Sequence, residues 1–211
     1  MPMREPLPVV YVVDDDPDVL KAIERLLESE GLEVSPFSSP REFLERHDRN
    51  ASGCLVLDLA MPGLSGLELQ ATLERQASHL PIIFLTGRGD IATSVKAMKH
   101  GAVDFLTKPV GDALLIATIR DALAKDRAHR SARADRDRIA KRLATLTERE
   151  RQVLEQIVAG KLNKEIAAEL GTAEKTIKFH RANLMRKMGV RVVADLVKLA
   201  ERAGVGRAPG A

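Results

Sequence analysis

Four short apolar segments each run into a residue that could do chemistry. Residues 9–13 lead into Asp14 and Asp15, and "CLVLDLAMPGLSG" sets Asp58 directly after an apolar run. Residues 82–85 lead into Thr86-Gly87, and residues 103–106 are followed at short range by Lys108-Pro109. Carboxylates held close together repel and raise one another's pKa unless a cation lies between them. Mg²⁺ suits such a set, because it takes one or two carboxylates and keeps positions for water and phosphate oxygens. A lysine adds a compact positive charge, and a threonine adds a hydroxyl for a phosphoryl oxygen. Brought together, these groups would support in-line phosphoryl transfer onto Asp58 as nucleophile, with metal and lysine neutralising charge. Asp58 is the most telling, since an unpaired carboxylate at a buried strand end is costly.

The elements that must position them are legible in the apolar pattern. Residues 9–13, 32–37, 55–59, 82–85 and 103–106 read as strands, and helices are expected over 17–29, 40–47, 66–77, 90–100 and from 112 onward. Val19, Ile23, Leu26 and Leu27 fall on one face of the first helix. Asp16-Pro17 and Ser39-Pro40 each combine a capping side chain with proline at the first helical position. Asp16 is therefore a cap rather than a member of the site. Five strand–helix units with near-continuous apolar strands imply a parallel sheet covered on both faces. Right-handed crossovers then put every strand's carboxyl end on one edge, where open sheets bind ligands.

At 211 residues and 45% hydrophobic content the chain can build two cores. Its single cysteine, Cys54, opens an apolar strand and reads as a core residue. Aromatic residues at 3%, without tryptophan, leave no stacking platform for single-stranded nucleic acid. No segment approaches the about 20 apolar residues of a membrane span, and the amino terminus has no signal pattern. A soluble, cytoplasmic protein without membrane contact is expected. Net charge is −7 over residues 1–124 and +10 over 125–211. An acidic module followed by a basic one suggests that the second meets a polyanion.

Residues 125–144 keep a helical pattern but lose the apolar stripe until Ile139, Leu143 and Leu146. They read as a long, partly solvated helical linker, either paired with a copy of itself or exposed alone. Beyond it, Thr147 and Glu150 form a capping box, and Asn163 and Thr172 are expected to cap the next two helices. A last helix is expected over 192–203, before a frayed "GVGRAPGA". The segments 163–170 and 173–188, joined around Gly171, have helix-turn-helix spacing. Ile177, Leu184, Met185 and Met188 give the second of them a buried face. Lys175, Thr176, Lys178, Phe179, His180 and Arg181 lie on its amino-terminal part, which meets base edges in such motifs, with salt-dependent phosphate contacts. His180 has no partner at metal-ligand spacing and reads as a helix-surface residue.

"VVDDDPDV", "LVLDLAMPGLSG", "FLTG" and "DFLTKP" resemble the signatures of response-regulator receiver domains, over residues 7–124. The resemblance implies Asp58 as phospho-acceptor and Mg²⁺ held directly by Asp15, Asp58 and the Ala60 carbonyl, with Asp14 acting through water. It makes Thr86 and Phe105 the switch pair and Lys108 the phosphate contact, before a cis peptide to Pro109. The run "LTERERQVLEQIVAGKLNKEIAAELGTAEKTIKFHRANLMRKMGV" is similar to LuxR-type output domains, over residues 145–205. That likeness turns Lys178 and Phe179 to the bases, Lys164, Thr176 and Arg181 to the DNA backbone, and the last helix to a dimer partner.

Together the two halves resemble FixJ/NarL-type transcriptional regulators. The expected fold is α/β plus all-α: a five-stranded parallel doubly wound receiver, a helical linker and a four-helix helix-turn-helix domain. The expected partners are a sensor histidine kinase, double-stranded DNA with paired half-sites and, after phosphorylation, a second copy of the chain. An aspartyl-phosphate phosphohydrolase would share the nucleophile, Mg²⁺, Thr86 and Lys108. It would carry an acid two residues after the nucleophile, where this chain has Ala60, and an insertion to cap its substrate. A receiver used only as a phosphorylation-independent dimeriser would not need the retained pocket. Two departures stand out: Ala60 replaces a commoner larger polar or basic residue, and Val192-Val193 replaces small polar residues before the last helix.

Overall fold

The apolar runs become five parallel strands in a computed structural model that describes residues 7–48, 51–87 and 91–205. Their order is β2-β1-β3-β4-β5, with β1 Val9–Val13, β2 Glu33–Phe37, β3 Gly53–Leu57, β4 Ile82–Thr86 and β5 Asp104–Thr107. Helices α1 Pro17–Ser29, α2 Pro40–Arg46, α3 Gly66–Arg75 and α4 Ile91–Lys99 connect them, and α5 Asp112–Ala144 follows β5. Residue 90, the expected start of α4, lies outside the described residues. Side chains alternate between two cores, one on each face of the sheet. Val13, Leu55, Leu57 and Phe84 pack on one, and Val10, Val12, Val56, Ile83 and Leu85 on the other. Cys54 belongs to the second core, and burial pushes its thiol up to about 12.

The caps follow the sequence where their chemistry is local. Asp16 accepts from the Asp18 and Val19 amides at 2.9 and 3.4 Å, and Ser39 accepts from the Glu42 amide at 3.3 Å. The third strand begins and ends two residues earlier than its apolar pattern suggests. Gly53 can pair with Val9 because it carries no Cβ, which would meet the Val9 carbonyl at 1.9 Å. Leu59 lies beyond the strand and packs half-buried on the first core.

The chain divides into two compact units, Met1–Arg130 and Ser131–Ala211. In the second, α6 Glu148–Val158, α7 Asn163–Glu169, α8 Glu174–Met188 and α9 Val193–Arg202 enclose a third core. Val153, Leu154, Ile166, Ile177, Leu184, Met188 and Leu196 are buried there, with Ile139 from the linker segment and Leu146 just after it. Two caps differ from expectation. The N-cap of α7 is Leu162, whose amide donates to Glu165 at 2.7 Å, while Asn163 accepts from Arg181 at 2.8 Å instead. The N-cap of α8 is Ala173, and Thr172 closes the preceding turn through its amide to the Ala167 carbonyl at 3.0 Å. Residues 206–211 of the expected frayed tail lie outside the described residues. Among the described residues, no helix is long and apolar enough to cross a membrane.

Candidate functional site

The strand order reverses direction between β1 and β3, and this switch point is where an open parallel sheet forms a ligand crevice. Asp14 and Asp15 follow β1, and Asp58 follows β3, so the two acidic ends flank it. The Asp58 amide donates to the Val13 carbonyl at 2.9 Å, which extends the pairing of the two strands by one step. Gly66 lets α3 begin directly against this turn: a Cβ there would meet the Asp58 carbonyl at 2.3 Å. The Ser65–Glu68 capping box then fixes the first turn of α3.

One carboxylate oxygen from each of Asp14, Asp15 and Asp58 lies within 4.8 Å of the others. Asp14 is 2% and Asp58 7% exposed, whereas Asp15 is open to solvent. The Lys108 ammonium donates to Asp14 Oδ2 and stands 3.6 Å from Asp58 Oδ1. Asp14 Oδ1 accepts from the Asp16 amide at 3.0 Å, and Asp58 Oδ2 from the Ala60 amide at 3.2 Å. Burial pushes the Asp14 carboxyl above the ordinary aspartate range against the pull of Lys108, and the neighbouring Asp58 adds to the rise. Excess negative charge behind an exposed third carboxylate is the situation a hard divalent cation relieves, so the donor set fits Mg²⁺.

Thr86 and Lys108 are also at the carboxyl edge, whereas Phe105 lies two residues before the end of β5, opposite Phe84. Thr86 is fully buried at the end of β4, and its carbonyl accepts from the Lys108 amide at 2.9 Å. Phe105, on β5, is half-buried against the first core, with its ring 6.0 Å from that of Phe84. The peptide between Lys108 and Pro109 is cis. Ala60 is exposed and touches Asp58 through its amide.

At the opposite edge is a polar cluster that sequence reasoning missed. Asp126 on α5 is buried, accepting from Ser52 Oγ at 2.8 Å, the Gly53 amide at 3.0 Å and Arg130 Nε at 2.8 Å. Arg130 also donates to the Ala51 carbonyl. The signal available was an Asp–Arg pair at helical spacing, indistinguishable in sequence from an exposed one.

In the second unit, α7 and α8 are the two helices of the helix-turn-helix. Lys164, Lys175, Thr176, Lys178 and Phe179 are exposed, and Phe179 is 64% accessible although wholly apolar. Lys178 pairs with Glu174 at 2.9 Å on the surface. Arg181 is half-buried, and one of its N–H groups is committed to Asn163. His180 lies beside Phe179 in an edge-on ring contact.

Comparison with known proteins agrees with both halves. Residues 10–120 match the response regulator receiver domain, and residues 144–200 match the luxR family of bacterial regulatory proteins. The chain is 44% identical to transcriptional regulatory protein FixJ of Azorhizobium caulinodans over 209 residues, covering 99% of each protein. It is 44% identical to nodulation protein W of Bradyrhizobium diazoefficiens over 197 residues, covering 93% of this chain and 87% of that protein. The solved structure of response regulator StyR shares 45% identity and superposes with a TM-score of 0.87, covering 93% of this chain and all of that one. With a doubly wound receiver fold, an acidic crevice and a helix-turn-helix unit, the chain belongs to the two-component response regulators that carry a LuxR-type DNA-binding domain.

Proposed function

We propose that Asp58 is the phospho-acceptor and that a sensor histidine kinase supplies its phosphoryl group. The observation that carries this reading is the meeting of Asp14, Asp15 and Asp58 oxygens within 4.8 Å, with Lys108 beside them. Asp58 Oδ attacks phosphorus in line, and the bond from phosphorus to the donor's leaving group breaks. Mg²⁺ held by Asp15, Asp58 and the Ala60 carbonyl, with Asp14 acting through water, would neutralise charge on the phosphoryl oxygens. The product carries roughly −1.5 to −2 charges at neutral pH, in place of the single negative charge of the carboxylate, if it titrates like other phosphoresidues. Lys108 moves from Asp14 toward the new oxygens, Thr86 turns its hydroxyl to one of them, and Phe105 fills the space the threonine vacates.

Residues 7–124 form the receiver in this reading, 125–144 the helical connection and 145–205 the DNA-binding domain. The switched receiver favours pairing with a second copy, so that two α8 helices reach half-sites of one duplex in the cytoplasm. Lys178 and Phe179 face base edges. Lys164, Lys175, Thr176 and Arg181 face the backbone, Arg181 through the four N–H groups that Asn163 does not use. The chain turns over no free substrate: Ala60 leaves no second acid after the nucleophile. The test is duplex affinity of the full chain before and after treatment with a small acyl phosphate and Mg²⁺. A gain that requires both supports the reading, and equal affinity in every condition refutes it.

A further inference from the structure

The end of the linker helix and the end of α8 exchange cations. Arg142, in the last turn of α5, donates through Nη1 to the Met188 carbonyl at 2.8 Å, the final residue of α8. In return, Lys187 of α8 donates through Nζ to the Thr145 carbonyl at 3.0 Å, just past the end of α5. Each cation therefore meets the other helix's carboxyl-terminal carbonyls, where unpaired acceptors and the negative pole of the helix dipole gather. Gly189 closes α8 in the left-handed region, φ 65°, and a Cβ there would stand 3.2 Å from the Arg142 guanidinium. The arginine thus lies flat against the turn that ends α8. A second arginine does the same for α7: Arg149 donates to the Leu170 carbonyl at 2.6 Å. Arg142 and Arg149 are half-buried and turned inward, although both raise the positive charge of the unit.

We propose that Arg142 is a positioning residue for sequence reading: it touches no DNA and sets the angle of α8 from the linker side. This rests on the DNA-reading proposal above. The helix that reads bases is then pinned at its far end by a residue outside the helix-turn-helix itself, and a displacement of the last turn of α5 moves α8 with it. A phosphate contact and a positioning pin differ in measurable ways. Loss of a phosphate contact weakens every duplex alike and flattens the salt dependence by about one unit of slope. Loss of a pin spoils the base contacts and leaves the general attraction of the basic surface intact.

The experiment uses the full chain, a duplex selected from a random-sequence library by the wild-type chain, and an unrelated duplex of equal length. Arg142→Gln is expected to lower affinity for the selected duplex at least tenfold. Affinity for the unrelated duplex should stay within twofold and the salt slope unchanged, with Arg142→Lys restoring most of the discrimination. Arg142→Met, which keeps the side-chain stem, is expected to repeat the Gln result, and circular dichroism reports whether each variant is folded. Equal loss on both duplexes with a shallower slope would make Arg142 a phosphate contact and overturn the proposal. Wild-type discrimination in either folded variant would also overturn it, as would failure of both variants to fold. A wild-type chain that enriches no sequence fails the DNA-reading proposal itself, before any variant is made.

Discussion

The Lys108 ammonium donates to Asp14 and lies 3.6 Å from Asp58, so one cation serves two buried carboxylates whose residues are 44 positions apart in the chain. The lysine is placed to change partner: a phosphoryl group on Asp58 would compete with Asp14 for it. Lys108→Met removes one charge-assisted contact worth about 1.5–3 kcal/mol, which corresponds to about tenfold to a hundredfold in rate. Phosphate uptake from a small donor should slow by that factor while the fold is retained. A stopped-flow or quenched time course checks it.

Asp126 anchors α5 to the start of β3 through Ser52, Gly53 and Arg130. Removing the carboxylate takes the acceptor from the buried Gly53 amide and the Ser52 hydroxyl, and takes the paired charge from Arg130, which keeps its bond to the Ala51 carbonyl. Asp126→Ala is expected to destabilise the first unit by about 3 kcal/mol. Urea unfolding read from this unit's signal should show the midpoint fall, and the second unit's transition should stay in place.

Much of this architecture is legible in the sequence because its determinants are local or periodic. Val9–Val13 and Pro17–Ser29 match their expected bounds, since an apolar run and an Asp-Pro cap need no tertiary information. The pocket is legible for a different reason: parallel topology sends every strand's carboxyl end to one edge, so order along the chain becomes proximity in space. What the pattern could not carry is choice among partners. Asn163 and Thr172 are good capping residues, yet Glu165 serves the Leu162 amide and Arg181 claims Asn163. Asp126 and Arg130 look like a solvated pair until β3 is seen beneath them. The two-residue offset of β3 depends on Gly53 passing close to Val9, a contact between distant segments.

Glu150 joins the capping box of α6 to Lys187 on α8. It accepts from the Thr147 amide at 2.8 Å and from Lys187 Nζ at 2.6 Å. Burial raises its carboxyl, but the bonds from Lys187 and from the Thr147 amide and hydroxyl outweigh that, and the group is held below its ordinary value. Between the folded and unfolded values the unfolded chain binds more protons, so unfolding free energy rises with pH through that window. The contribution is fully present above the ordinary glutamate value and is lost as pH falls through the folded one. Glu150→Ala should cost about 2 kcal/mol at neutral pH and flatten this acid dependence. Unfolding curves collected from neutral to acid pH decide it.

Phe179 is 64% exposed on the amino-terminal half of α8, where a large apolar side chain gains nothing for folding. Phe179→Ala should leave stability within about 0.5 kcal/mol. On a duplex selected by the wild-type chain it should lower affinity about tenfold, the scale of one base contact. Binding isotherms beside a thermal melt separate the two effects.

Acceptance of phosphorus by Asp58 leaves a signature in mass. Its most direct test is the intact mass of the chain after incubation with a small acyl phosphate and Mg²⁺, beside folded Asp58→Asn treated identically. The wild-type chain should gain the mass of one phosphoryl group, in a Mg²⁺-dependent manner, and the variant should gain none. Equal phosphate on the two proteins would mean that Asp58 is not the acceptor.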